Sequence, residues 1–204
     1  MTAAVGTTLD RSILDRMEIL EVLAGWGVLR DSGQLDLLGE CFAPDGVMHT
    51  SGSSGPASRF IENARKSQPG SGLAQHIYGG GVVEVAGDRA LAQSRMLVMS
   101  RKKVGRIAVD LTGFVLMFDR FVRTPQGWRI LERFPLYERD RLDLVDRADS
   151  LDIDLSPFAA YPQGLQHIAF VQRAGGREVP ANVLSMSADG FAATHAEWRR
   201  WLQG

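Results

Sequence analysis

The residues best suited to chemistry in this sequence are a carboxylate and an imidazole in two short words, Arg30-Asp31-Ser32-Gly33 and Gln75-His76-Ile77-Tyr78-Gly79-Gly80. Brought together, Asp31 and His76 make a general base that needs neither metal nor cofactor. The carboxylate fixes the ring tautomer and stabilises the imidazolium that forms when His76 takes a proton. Each residue alone has a plainer reading: Asp31 as a solvated helix-end acid, His76 as a hydrogen-bonded strand histidine. The elements around them must therefore supply the geometry.

Ile13, Met17, Leu20, Ala24 and Gly27/Val28 recur at three- and four-residue steps and predict an amphipathic helix over 10–30, with Trp26 just off its stripe. Thr8 or Asp10 would cap it, and Ser32-Gly33 would stop it. Asp31 then falls at the last turn, where the helix dipole disfavours an anion, so the carboxylate needs a partner or water. A short helix over 34–42 ends at Ala43-Pro44-Asp45-Gly46, and a strand over 47–50 follows. Residues 51–55 read as a loop, Pro56 starts a helix over 57–66, and Gln68-Pro69-Gly70-Ser71-Gly72 ends it. Beyond this the apolar period becomes two, predicting strands near 74–85, 89–102, 105–123 and 127–138. Gly79-Gly80-Gly81 offers a bulge or a close backbone approach. Helices followed by a long antiparallel meander make an α+β fold: three N-terminal helices on one face of a curved antiparallel sheet that encloses a pocket.

The 204 residues suffice for one domain with an appendage; 45% are hydrophobic, 23% charged, and the net charge is −1. No basic run suggests nucleic acid, and no apolar run reaches the ~20 residues of a membrane span. Cys41 is the sole cysteine, so neither an internal disulfide nor a thiolate metal site is expected. The amino terminus lacks the basic start and apolar stretch of a signal peptide, which leads to the expectation of a cytoplasmic protein. Residues 1–140 form the expected pocket domain and 141–204 a carboxy-terminal extension. That extension reads as a charged connector over 138–154, a loop at Pro157–Pro162, a strand over 166–172, a turn at Gly175-Gly176 and a helix over 189–202. It would pack on the first domain or on a neighbouring subunit.

The element order resembles the SnoaL-like group of the nuclear transport factor 2-like superfamily over residues 10 to 140. The words that carry the likeness are Asp31-Ser32-Gly33 closing the first helix, Phe42-Ala43-Pro44-Asp45-Gly46 before the first strand, and Gly127-Trp128-Arg129-Ile130 in the last. The resemblance implies a cone-shaped α+β barrel with a deep pocket, and an open sheet face that meets a neighbour in a dimer or trimer. Within the superfamily, Gln75-His76-Ile77-Tyr78-Gly79-Gly80 is most similar to the corresponding word of scytalone dehydratase, whose histidine and aspartate fall on His76 and Asp31. A similar pair serves a dehydrochlorinase of hexachlorocyclohexane. The dehydratase's water-holding tyrosines fall on Arg30 and Thr50, its second histidine near Ser100 and its asparagine near Phe114. The dyad persists while the substrate-specific shell differs, which argues against scytalone itself.

The expected reaction is accordingly a cofactor-free elimination, of dehydratase type, on a small apolar or aromatic hydroxylated compound. Isomerisation, hydrolysis, or binding and assembly without catalysis use the same features. His76 and Asp31 are the candidate catalytic residues. Tyr78 shares strand parity with His76 and reaches the same space unless a bulge intervenes, and Arg133 would stabilise an anionic oxygen if its face points inward. Met48 and Thr50 share the pocket side of their strand and leave His49 outside; Trp26, Met96, Val98 and Phe114 complete the candidate substrate contacts, as lining or as core. Histidines do not recur at metal-ligand spacing, and His167 shows no partner in the sequence.

Overall fold

The computed structural model describes residues 3–66, 74–177 and 188–204. The first helix, α1 (Ala3–Asp31), begins ahead of the proposed caps Thr8 and Asp10. The turn assigned to 68–72 lies outside the described residues. The buried face of α1 is not the stripe drawn from apolar periodicity. Ile19, Leu23 and Trp26 are buried, whereas Ile13 and Met17 are 55% and 61% exposed. The true stripe also contains Asp15, whose charge hides it from an apolar count. Asp15 takes two bonds from Arg123, at 2.8 and 2.6 Å, and one from the Trp128 indole at 3.2 Å.

After α2 (Leu35–Glu40) come β1 (Phe42–His49), β2 (Ser54–Pro56) and α3 (Ala57–Lys66). The first strand begins five residues earlier than its apolar pattern suggested, and part of the presumed 51–55 loop pairs with it as β2. Four long strands follow: β3 (Ala74–Ala86), β4 (Arg89–Val104), β5 (Ile107–Thr124) and β6 (Gly127–Leu144). They form the antiparallel meander that the period-two patterning predicts. The whole sheet, in the order β2-β1-β6-β5-β4-β3, is curved, unclosed and mixed, because β1 pairs with β6 in parallel. Strand β6 runs through the first part of the presumed connector, as Leu144 still pairs with Val109.

In the extension, residues 166–172 form a helix instead of a strand. Two 3-10 turns lead into α4 (Gln166–Ala174), and α5 (Ala188–Gln203) closes the chain. In and just before α4, Leu165, Ile168, Ala169 and Val171 are buried, a helical spacing that the local alternation of Ile168 and Phe170 obscures. Neighbouring strand residues point to opposite faces. Met117 joins Ile19, Leu23 and Trp26 in one core cluster, while Phe118 joins Trp198 and Leu202 of α5 in the other. Helices α1 and α5 therefore cover opposite faces of the sheet. Ile168 of α4 lies against Gly113, on the α1 side but farther along. The space between α1 and α4 is where a pocket can form.

Candidate active site

The dyad begins with a helix allowed to come close to a strand. A Cβ built on Gly27 would stand 2.6 Å from the His76 carbonyl oxygen, so α1 touches β3 where only glycine fits. Asp31 lies one helical turn farther on the same face. Its Oδ2 accepts the backbone N–H of His76 at 2.7 Å, and its Oδ1 meets Nδ1 of the same residue at 2.6 Å. One carboxylate thus grips both the chain and the ring of His76, and Nδ1 carries the shared proton. The Trp26 ring stands edge-on to the imidazole, 5.3 Å between centroids, and stacks on Phe60 behind it. With Nδ1 occupied, Nε2 is the nitrogen left to act, and among the described residues nothing bonds to it.

His76 lines a cavity of about 440 Å³. Its floor is the sheet, through Val98 and Ser100 of β4, Leu111 and Gly113 of β5 and Tyr137 of β6. The register explains this set: His76 pairs with Val98, Val98 with Gly113, and Ser100 with Leu111. The α4 residues Ile168, Val171 and Gln172 form the opposite wall. Gln172 donates to the Ser51 hydroxyl at 2.9 Å and joins that wall to the loop after β1. Helix α4 is itself tied to β6 by Asp140, which meets His167 Nδ1 and accepts the Ile168 N–H, both at 2.8 Å. His167 therefore has a partner after all. Asp140 holds a backbone N–H and an Nδ1 in the manner of Asp31.

The candidate substrate contacts separate into three groups. Val98 reaches the cavity. Trp26, Met48 and Met96 are core residues in the cluster with α1. Tyr78 keeps the parity of His76, because the register shift at the glycines falls just after it, between Tyr78 and Gly81. Its hydroxyl nevertheless accepts a 2.8 Å bond from Arg133, behind the cavity wall, and burial pushes its ionisation well above the ordinary phenol range. Arg133 points inward, but it is fully buried and bound to Asp119 at 2.6 Å, with its guanidinium over the Trp26 ring. A charge so committed holds the core together and does not line the cavity. Thr50 is also diverted, since its Oγ1 accepts the N–H groups of Gly52 and Ser53 and so shapes the loop. Phe114 faces away from the cavity under the Arg139 guanidinium, and its neighbour Gly113 takes the cavity position. His49 lies on the far face against Phe134, bonded to Glu132 at 2.9 Å and Ser54 at 2.7 Å.

Tyr137 and Ser100 are two polar cavity residues of the sheet that are not among the contacts expected from sequence. The Tyr137 hydroxyl accepts the Ser51 N–H at 3.1 Å, which leaves its own proton free to donate. Burial raises its pKa and keeps it protonated. Arg133 and Tyr137 share one face of β6, so alternation along the strand carried the signal, whereas Arg129, opposite Val122 beyond the bulge at Leu131, lies on the other face. Among the described residues no three His, Cys, Asp or Glu side chains are placed to hold a metal, and no helix is long and apolar enough to cross a membrane.

The molecule is thus a curved, unclosed mixed sheet flanked by helices, with a histidine–aspartate pair at the edge of its pocket. Residues 11–133, more than half of the chain, match the SnoaL-like domain, and the protein belongs to that family. Pea pathogenicity protein 2 of Fusarium vanettenii is 25% identical over 169 residues, spanning 80% of this chain and 71% of its own. An uncharacterized Mycobacterium bovis protein, Mb2934c, is 30% identical over 135 residues, 61% of this chain and 90% of its own. A Novosphingobium aromaticivorans structure provisionally named a scytalone dehydratase shares the fold with a TM-score of 0.56 at 16% identity, covering 72% of this chain and 99% of that one. Rv3472 of Mycobacterium tuberculosis, of unknown function, gives 0.55 at 19% identity over 84% of this chain and 97% of its own.

Proposed function

We propose that this protein is a cofactor-independent lyase of the dehydratase type, acting on a small hydroxylated apolar or aromatic compound. The observation that carries the reading is the 2.6 Å contact between His76 Nδ1 and Asp31 at the wall of a cavity of about 440 Å³. Nε2 of His76 takes a carbon-bound proton, and Asp31 stabilises the imidazolium that results. Tyr137, kept protonated by burial, is the oxyanion donor, since Tyr78 and Arg133 are bonded to each other behind the cavity wall. It donates a hydrogen bond to the developing oxyanion, and His76 Nε2 then gives the abstracted proton to the departing hydroxyl, which leaves as water while the carbon–oxygen bond breaks and the double bond forms. Val98, Leu111, Ile168 and Val171 supply the apolar walls that exclude water from the reacting carbon.

The test is a screen of hydroxylated aromatic compounds for loss of water, followed by kinetics on the best substrate. His76→Ala and Asp31→Asn should each lower kcat by about 10²–10⁴-fold while the fold persists. Unchanged turnover in both variants rejects the mechanism. Solvent 18-oxygen entering the product would indicate hydrolysis by the same pair. Binding without turnover is the second reading. It is favoured by one observation: Trp26, Tyr78 and Arg133 fill the deep end of the cone and confine the cavity to its outer part.

A further inference from the structure

The apolar walls of the cavity are accompanied by an unbalanced set of charges. Arg30 at the end of α1, Lys102 and Lys103 of β4 and Arg177 after α4 all line it, and among the described residues no carboxylate does. Asp31, the nearest acid in sequence, is already spent on His76. Lys102 is the informative member. It continues the cavity-facing row of Val98 and Ser100, is half-buried, and has no ion-pair partner among the described residues. Burial, then the positive charges of Arg177 and Arg30, push its ammonium below the ordinary lysine range. Like charges gathered in a partly desolvated cleft destabilise one another unless an anion joins them.

The position of Arg177 is built in. Helix α4 ends with Gly176 at φ +74°, and the Arg177 N–H returns to the Gln172 carbonyl at 2.9 Å, which turns the chain back towards the cavity. The carbonyl end of α4 offers only about half an elementary negative charge. That falls well short of balancing Arg30, Lys102 and Arg177.

We infer that the molecule taken into this cavity carries an anionic oxygen group, a carboxylate or a phosphate, held by Lys102 together with Arg30 and Arg177. The inference rests on the cavity being the substrate site and narrows the proposed substrate from any hydroxylated aromatic to a hydroxylated aromatic acid or ester phosphate. Clefts lined by one sign of charge concentrate ligands of the other, and paired guanidinium and ammonium groups match carboxylate and phosphate oxygens.

Calorimetric titration of the full chain with 2-naphthoate, 2-naphthyl phosphate and neutral 2-naphthamide tests this directly. At least one anion should bind about tenfold or more tightly than the amide, and the tighter of the two identifies the group. Lys102→Gln should weaken the anions about tenfold and leave the amide unchanged, Lys102→Arg should retain the preference, and Arg177→Gln should reduce it. Equal binding of anions and amide, equal loss of both in Lys102→Gln, or no anion binding at 10 mM would overturn the inference. If Lys102→Gln fails to fold, the Arg177→Gln titration decides by the same comparison. Naphthoate binding needs no turnover, so absent elimination chemistry defeats the lyase reading alone, and absent anion preference defeats this one alone.

Discussion

Gly27 sets the distance on which the dyad depends. Any Cβ there meets the His76 carbonyl oxygen at 2.6 Å and the Tyr78 ring at 3.3 Å, and the carbonyl belongs to a paired strand that cannot yield cheaply. Gly27→Ala should therefore displace α1 from β3, although alanine is the better helix former by about 1 kcal/mol. Overpacking of this kind costs about 1–3 kcal/mol, so the steric term outweighs the propensity gain. The expected result is a lower urea midpoint at unchanged slope. Because Asp31 rides on the same helix face one turn away, the His76 ring should also lose its fixed tautomer, read as a changed nitrogen-15 imidazole spectrum. A stabilised Gly27→Ala protein with an unaltered His76 spectrum would show that the close approach is not needed.

Helix α4 forms one wall of the cavity, and Asp140, 7% exposed, ties its start to β6 by binding His167 and capping the Ile168 N–H. Asp140→Ala leaves that N–H unpaired and frees the histidine, a loss of about 1–3 kcal/mol by comparison with other caps and buried hydrogen bonds. Amide exchange should accelerate over 166–174 while β3 to β5 stay protected; uniform acceleration would mean that α4 is no separate unit. The same helix marks where the sequence stopped being legible. The dyad was visible because Asp-Ser-Gly after a long periodic stretch and His76 in an alternating one are local signals. The meander was visible for the same reason, since β3 to β6 alternate over long spans. What failed depends on contacts distant in sequence. Arg133 points inward yet belongs to Asp119, fourteen residues earlier on the neighbouring strand, and β6 outlasts its apolar pattern because Asp143 and Asp140 still have partners on β5. The α1 stripe was misphased because Asp15 lies on it, paired with a residue of β5. Phe114 rests on likeness to the dehydratase, and strand parity turns it away from the cavity; Thr50 rests on parity with Met48 as well as likeness, and the loop N–H groups that its hydroxyl accepts divert it.

Ion pairs within the sheet and between sheet and helix also set how the molecule as a whole responds to acid. Asp15 of α1 is held below the ordinary aspartate value of 3.8, first by its hydrogen bond from Arg123, despite an opposing effect of burial. Glu132 of β6 is pushed up by burial, but the bond from His49 and the charge of Arg120 outweigh that and leave it below 4.5. A carboxylate whose folded pKa is depressed binds fewer protons folded than unfolded. Its stabilising contribution is complete above the unfolded pKa and disappears as pH falls through the lower folded one. Asp119 opposes them, since burial first, against Arg133, lifts its carboxyl. The wild-type profile therefore mixes signs, and the informative quantity is a difference between proteins. The urea midpoint of Asp15→Asn should lie below that of the wild type by a constant amount from pH 7 to about pH 5. The gap should then close as pH falls below 3.8, because protonated Asp15 no longer attracts Arg123. The α5 contacts provide a control. Arg120 lies over Trp198 and Trp201, and the Arg89 bond to the Trp201 carbonyl involves no titrating acid. Near-ultraviolet signals from those tryptophans should persist to lower pH than the α1 contacts, unless Glu132 releases Arg120 first. A gap between wild type and Asp15→Asn that stays constant down to pH 2 would show that Asp15 does not join helix to sheet.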